Sequence, residues 1–179
     1  MEDQWIKAAV NGERRGQTAL YNRYKRYWFT ICLRYQNHRE DAEDVLQNAL
    51  IHIFSKITQF TPERGSFKDW SARIVVNDNL MFLRSKKVTE PLEEGFNSLD
   101  SEQPTLEIDK PNASKLIKII RMLPNGYREV FNLYVLEGYT HVEIAEILDI
   151  SVGSSKSQLH KAKQWIKKRI SDRLQVKAV

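Results

Sequence analysis

The steadiest hydrophobic rhythm in this chain runs from Ala42 to Ile57. Ala42, Val45, Leu46, Ala49, Leu50, Ile53, Phe54 and Ile57 recur at the three- and four-residue spacing of a helix with one buried face. At about 100° per residue, Glu40, Asp44, Gln47, Asn48 and Ile51 gather on the opposite side. An isoleucine set among acids and amides is poorly solvated, and such a face suits docking to a protein with a basic, partly apolar surface. A solvated face with one stray isoleucine is the plainer alternative. The same periodicity predicts helices over about 2–10, 13–36, 39–58 and 67–86. Two more follow near the end, from Thr140 and from Ser151.

Start signals sharpen three of these helices. Ser66 with Asp69 three residues on opens the helix at Phe67, and Thr140 with Glu143 forms the T-x-x-E capping box that satisfies orphan amides. Asp149-Ile150-Ser151 interrupts the pattern, and Ser151 or Gly153 can start the next helix. A short helix, a tight turn and a longer basic helix form the plan of a helix-turn-helix that reads duplex DNA. With Leu159 inward, Ala162, Ile166 and Ile170 join it and Ser155 lies on the inner face. Ser154, Ser157, Lys161, Gln164 and Lys168 form the outer ridge, with His160 at its edge and Lys156 nearer the buried side.

Between the two helical regions, residues 88–114 contain three of the five prolines and little periodicity, which reads as a linker. Fully extended it spans about 90 Å at roughly 3.4 Å per residue, more than two turns of B-DNA. Charge follows the same division. Residues 1–87 hold 15 Lys/Arg against 10 Asp/Glu, the linker 1 against 7, and residues 115–179 hold 12 against 6. Basic blocks favour phosphate backbones through counterion release, whereas an acidic tether avoids them. Solvated helix faces are the plainer account of the same basic blocks.

Few β-branched residues and only 5 prolines and 7 glycines in 179 residues indicate an all-α protein. The absence of a run of about 18 apolar residues or a leader pattern predicts a soluble cytoplasmic protein without membrane insertion. The single cysteine, Cys32, reads as a buried, inert thiol. Phe67 and Trp70, beside amides and bases after the loop Gln59–Phe67, resemble a surface on which single-stranded nucleic acid stacks. Core packing is the alternative for both, and for Trp70 the stronger one.

Along most of the chain these residues resemble one family. Residues 16–87, carrying ALYNRY, RYQNHREDAEDVLQNAL and FKDWSARIVVNDNLMFLRSKK, are similar to region two of the extracytoplasmic-function (ECF) sigma factors of bacterial RNA polymerase. Residues 123–170, from LPNGYREVF through the helix-turn-helix, are similar to region four. The resemblance implies two small helical domains, 1–87 and 115–179, joined by the linker 88–114. It implies that Glu43, Asp44, Gln47 and Asn48, with Ile51, grip the coiled coil of the polymerase beta-prime subunit. Gln59, Phe60, Arg64 and Phe67 of the loop, together with Asn77, align with the elements that capture a flipped base of the melted minus-ten promoter element. Ser154, Lys156, Ser157, His160 and Lys161 align with positions that read the minus-thirty-five element. An anti-sigma factor is an implied partner, and neither catalysis, nor a metal, nor a cofactor is implied.

The chain departs from the family at several points. Ser155 stands where valine is frequent, Gln158, Lys161 and Lys163 where arginine is, Ser71 where leucine is, and Asp149 where a turn glycine is common. Lysine contacts phosphate as a point charge without arginine's bidentate fork, so Lys161 and Lys163 favour backbone contacts over base readout. Two other classes compete with a sigma factor: a stand-alone helix-turn-helix regulator with an N-terminal partner-binding domain, and a metal-dependent nuclease built on the acids at 40–44. The second lacks H-E-x-x-H, a Cys/His cluster or a phosphate-cradling glycine loop.

Overall fold

The computed structural model describes residues 1–89 and 111–175, with side chains described for 1–86 and 115–171. The chain divides into two compact units, Met1–Glu93 and Glu94–Val179. Most of the segment read as a linker lies outside the described residues.

The first unit holds α1 (Glu2–Val10), α2 (Arg14–Tyr35), α3 (Arg39–Ser55) and α4 (Phe67–Thr89). Helix α1 lies against α2 at a contact only glycine allows: a Cβ on Gly16 would stand 2.5 Å from both Ala9 N and Trp5 O. Tyr24 Oη then ties α2 back to α1 by donating to a Glu2 carboxylate oxygen at 2.8 Å. Helix α3 stops at Ser55, three residues short of the expected end at 58, and a 3-10 turn over Ile57–Gln59 follows. That turn still delivers Ile57 to the core, so the apolar spacing outlasts the helix. Ala42, Val45, Ala49 and Ile53 of α3 are buried with Trp28, Ile31, Leu33 and Tyr35 of α2 and Val75, Val76 and Leu80 of α4.

Trp28, Ser71, Gln36 and Asn79 are matched inside this core, as burial requires. The Trp28 indole N–H donates to Ser71 Oγ at 3.0 Å, and Ser71 Oγ donates to Lys68 O at 3.0 Å. Gln36 Nε2 donates to Asn79 Oδ1 at 2.9 Å, while Asn79 Nδ2 donates to Val75 O at 2.8 Å. The Ser71 departure therefore serves the tryptophan of α2. Cys32 is buried beside Asn79, and burial pushes its thiol up to about 12.

The second unit holds α5 (Pro111–Arg121), α6 (Asn125–Phe131), α7 (His141–Leu148) and α8 (Val152–Gln175). Helix α6 runs into a π turn over Asn132–Leu136. Ile117, Ile120, Leu123, Val130, Leu133, Ile144, Leu159 and Ala162 form its core. Arg128, 1% exposed, joins α5 to α6: Nη1 donates to Arg121 O at 2.9 Å and Nη2 to Asn125 Oδ1 at 2.6 Å. Burial lowers its guanidinium to about 10, still far above neutral, so the buried group stays a cation. The Thr140–Glu143 capping box forms, and Asp149 ends α7 in the left-handed region at φ 53°. Ser151 starts α8 by accepting from Ser154 N at 3.0 Å.

Replacing Arg128 with leucine should remove the donor to the Arg121 carbonyl and cost about 2–4 kcal/mol. Amide exchange in α5, α6 and α8 should accelerate while the amides of α2–α4 keep their protection. Unchanged exchange in α6 would contradict this role.

Candidate functional site

Three surfaces carry the residues singled out by the sequence. On α3, Glu43, Asp44, Gln47, Asn48 and Ile51 are all exposed or half-buried, and Ile51 keeps 65% of its surface. The face is held outward because Ala42, Val45, Ala49 and Ile53 are buried behind it. Its acids are not equivalent. Glu43 accepts from Arg39 Nε at 2.7 Å, one turn away, and the Arg39 guanidinium lies 5.3 Å from the Phe29 ring. Asp41 has turned toward α4, where Lys86 Nζ stands at 2.7 Å. His52 Nδ1 lies 2.9 Å from an Asp78 carboxylate oxygen of α4. Two polar links thus bolt α3 to α4 near either end of the exposed face. The acids at 40–44 do not converge, and among the described residues no group of three or more His, Cys, Asp or Glu could hold a metal ion.

The second surface is the loop before α4 with α4 itself. Two 3-10 turns, Ile57–Gln59 and Pro62–Arg64, lead to Gly65 at φ 134°, and Ser66 caps α4 by accepting from Asp69 N at 3.1 Å. Gln59 and Arg64 are exposed and Phe60 is half-buried. Phe67 corrects the sequence expectation. It is 1% exposed and packs among Tyr24, Phe60 and Trp70, at ring-centroid distances of 5.7, 5.5 and 5.6 Å. A side chain so enclosed offers no face to a base; it supports the loop from beneath. Asn77 is exposed on α4, about 15 Å along the axis from Phe67 at 1.5 Å per residue. Arg73, Met81 and Arg84 extend its stripe at helical spacing, and Met81 keeps 63% of its surface. The stripe was readable from the i, i+4, i+8 spacing once Asn77 was placed outward.

The third surface is α8. Ser154, Lys156, Ser157, His160 and Lys161 are all exposed. Ser154 Oγ accepts from Ser151 Oγ at 3.0 Å, so its hydroxyl belongs partly to the cap. Lys161 Nζ lies 6.0 Å from the Tyr127 ring centroid. Lys156 does not lean toward the buried side as its helical spacing from Leu159 predicts, because the buried arc centres on Ser155, Leu159 and Ala162. Ile170 likewise departs from the inward row: it is 41% exposed and lines a shallow groove with Phe131, Lys163 and Ile166. Ser155, 0% exposed, makes a contact the sequence did not announce, with His141 Nδ1 at 2.8 Å from its Oγ.

Set beside known proteins, this pair of helical units is matched in order. The model of sigma-70 region 2 matches residues 20–89, and that of sigma-70 region 4 matches residues 113–166. The ECF RNA polymerase sigma factor SigW of Bacillus subtilis is 28% identical, over 93% of this chain and 95% of its own length. The ECF RNA polymerase sigma-E factor of Haemophilus influenzae is also 28% identical, over 92% of this chain and 93% of its own. The fold is shared with CnrH in its complex with the cytosolic domain of CnrY, at TM-score 0.52 and 18% identity, covering 94% of this chain and 96% of CnrH. It is shared too with the sigma factor RpoE of Bartonella quintana bound to the anti-sigma factor NepR, at TM-score 0.53 and 18% identity, covering 86% and 96%. The chain belongs to the sigma-70 family, the initiation factors of RNA polymerase. Within that family it is an ECF sigma factor.

The burial of Phe67 separates support from contact in the loop. Phe67→Ala should cost about 3–5 kcal/mol, as for other buried aromatics. Arg64→Ala should change stability by less than about 0.5 kcal/mol. Urea denaturation of the full chain measures both, and similar midpoints for the two variants would contradict the assignment.

Proposed function

We propose that this ECF sigma factor holds core RNA polymerase through α3, traps melted minus-ten DNA along the loop and α4, and reads the minus-thirty-five element through α8. One observation carries the reading: the helix with the exposed Asp44–Gln47–Asn48–Ile51 face is bolted to the helix bearing Asn77 by His52–Asp78 and Asp41–Lys86. Polymerase held by the first helix is thereby held in fixed relation to DNA held by the second.

Each surface has a chemistry suited to its task. Asp44 supplies charge and Ile51 supplies apolar area, the combination that meets a basic and partly apolar helix surface. Gln59, Arg64 and Asn77 offer amides and a guanidinium for base edges and phosphates, with Phe60 as a half-exposed ring. Unstacking a base costs a few kcal/mol, which binding of the extruded base offsets, so strand opening needs no nucleotide hydrolysis by this chain. On α8, Lys161 serves as a backbone contact and Ser154, Ser157 and His160 present short polar groups to the groove. In this reading the polymerase performs all chemistry and the chain is no enzyme. It works in the bacterial cytoplasm, needs no cofactor, and is held in check by an anti-sigma factor. The assemblies of CnrH with CnrY and of RpoE with NepR support that last assignment. Among the described residues no helix is long and apolar enough to cross a membrane.

Run-off transcription sequencing with reconstituted holoenzyme tests the whole reading, and a failure to initiate at any promoter would overturn it. Asp44→Lys combined with Gln47→Lys should weaken core polymerase binding at least about tenfold, or about 1.4 kcal/mol. Core affinity equal to wild type would remove α3 as the interface. Asn77→Ala should lower permanganate reactivity of the opened strand more than it lowers closed-complex formation in footprinting. Equal losses in both would place Asn77 outside strand capture.

A further inference from the structure

His141 opens α7 and packs against two other elements. Its ring stacks on Tyr134 of the π turn, with centroids 4.4 Å apart and planes 23° from parallel. Its Nδ1 meets the buried Ser155 hydroxyl of α8 at 2.8 Å. Lys156 and Lys163 of α8 are near enough to act on the ring through their charge, and Lys163 Nζ lies 5.8 Å from the Tyr134 centroid. Seven residues apart, these lysines are separated by about 10 Å along one side of the helix. The carboxylate on His141's own helix, Glu143, is turned onto the cap, where its oxygen accepts from Thr140 N at 2.7 Å and from Thr140 Oγ1 at 2.8 Å.

This corner sets the charges of two lysines on an imidazole that stacks on a half-exposed tyrosine. Desolvation first, and then Lys156 and Lys163, hold the histidine below its ordinary value of 6.5, so in the free chain the ring is neutral at neutral pH. Ser155 fits both charge states of the ring. A hydroxyl donates to an unprotonated Nδ1 and accepts from a protonated one, so the 2.8 Å contact survives the change. Valine, frequent at this position in the family, does neither. The Tyr134 face favours a cation stacked on it, and Nδ1 is occupied, which leaves Nε2 as the nitrogen available to a ligand.

We propose that His141, Lys156 and Lys163 form a binding site for a DNA backbone phosphate on the flank of the helix-turn-helix, which the histidine enters as the imidazolium. The proposal rests on the reading that α8 docks on duplex DNA. A phosphate supplies the negative charge that offsets crowding three cations, and binding takes up one proton from solvent. Protonation in the complex is then easier than in the free chain. Affinity must rise as pH falls through the window between the two titrations and level off below both.

Fluorescence anisotropy of the full chain on a labelled random-sequence duplex, at fixed low salt, tests this between about pH 8 and about pH 5.5, the range of histidine titration. The wild type should bind about three- to tenfold tighter at the acid end, within the limit of about tenfold per pH unit that uptake of one proton sets. His141→Phe, which keeps a ring on Tyr134, should lose that gain, whereas His38→Gln, at the start of α3 in the first unit, should keep it. In proton NMR, the His141 ring should titrate at higher pH when duplex is added. A His141→Phe chain with the full gain, or a His141 titration unmoved by saturating duplex, overturns the proposal and leaves the sigma reading intact. Absence of duplex binding overturns the proposal as well, while run-off transcription by the wild-type holoenzyme separately decides the sigma reading.

Discussion

Helix α4 is asked to be core and surface at once, and the rest of the first unit depends on how that is arranged. Its inner side is fixed to α2 and to the residue that caps it by hydrogen bonds at two heights, Trp28 to Ser71 and Gln36 to Asn79. Apolar contact alone permits a helix to roll by a fraction of a turn, because one aliphatic side chain replaces another at little cost. Buried polar pairs do not permit it, since a rolled helix would strand a donor in the core. Asn77 lies two residues from Asn79, so one asparagine locks the helix and the other faces outward. The same lock sets Met81 and Arg73 on the outer stripe.

The second unit solves a different problem, that of holding short helices together. Isolated helices this short are marginal in water. Here their ends are finished by side chains: Arg128 on the last carbonyl of α5, Thr140 and Glu143 on α7, and Ser151 on α8. Asp149 makes the turn between α7 and α8 in a conformation that aspartate tolerates better than most residues. A left-handed residue at that point ends α7 and lets α8 begin three positions later, packed against α7.

What was legible in the sequence is what depends on neighbours along the chain. The outward face of α3 follows from its spacing, and the caps at Ser66, Thr140 and Ser151 follow from residues three apart. The contacts that join distant residues left no such trace. Trp28 with Ser71, Gln36 with Asn79 and His141 with Ser155 pair across helix crossings, whose register no local pattern encodes. The burial of Phe67 is hidden from the sequence for the same reason. An aromatic beside a polar loop has the same local signature whether it faces a base or, as here, Tyr24 and Trp70. Lys156 and Ile170 depart from a row centred on Leu159 because the packed arc of α8 centres nearer Ser155 and Ala162 and ends before Ile170.

The buried thiol of Cys32 has a consequence for how the chain can be informed about its surroundings. A thiol raised to about 12 and enclosed by α2 and α4 carries almost no thiolate at neutral pH, and oxidants react with thiolate. With no second cysteine in the sequence, no internal disulfide can form either. If oxidative stress changes the activity of this protein through thiol chemistry, the sensing sulfur belongs to another molecule, and the message arrives as a change in what is bound.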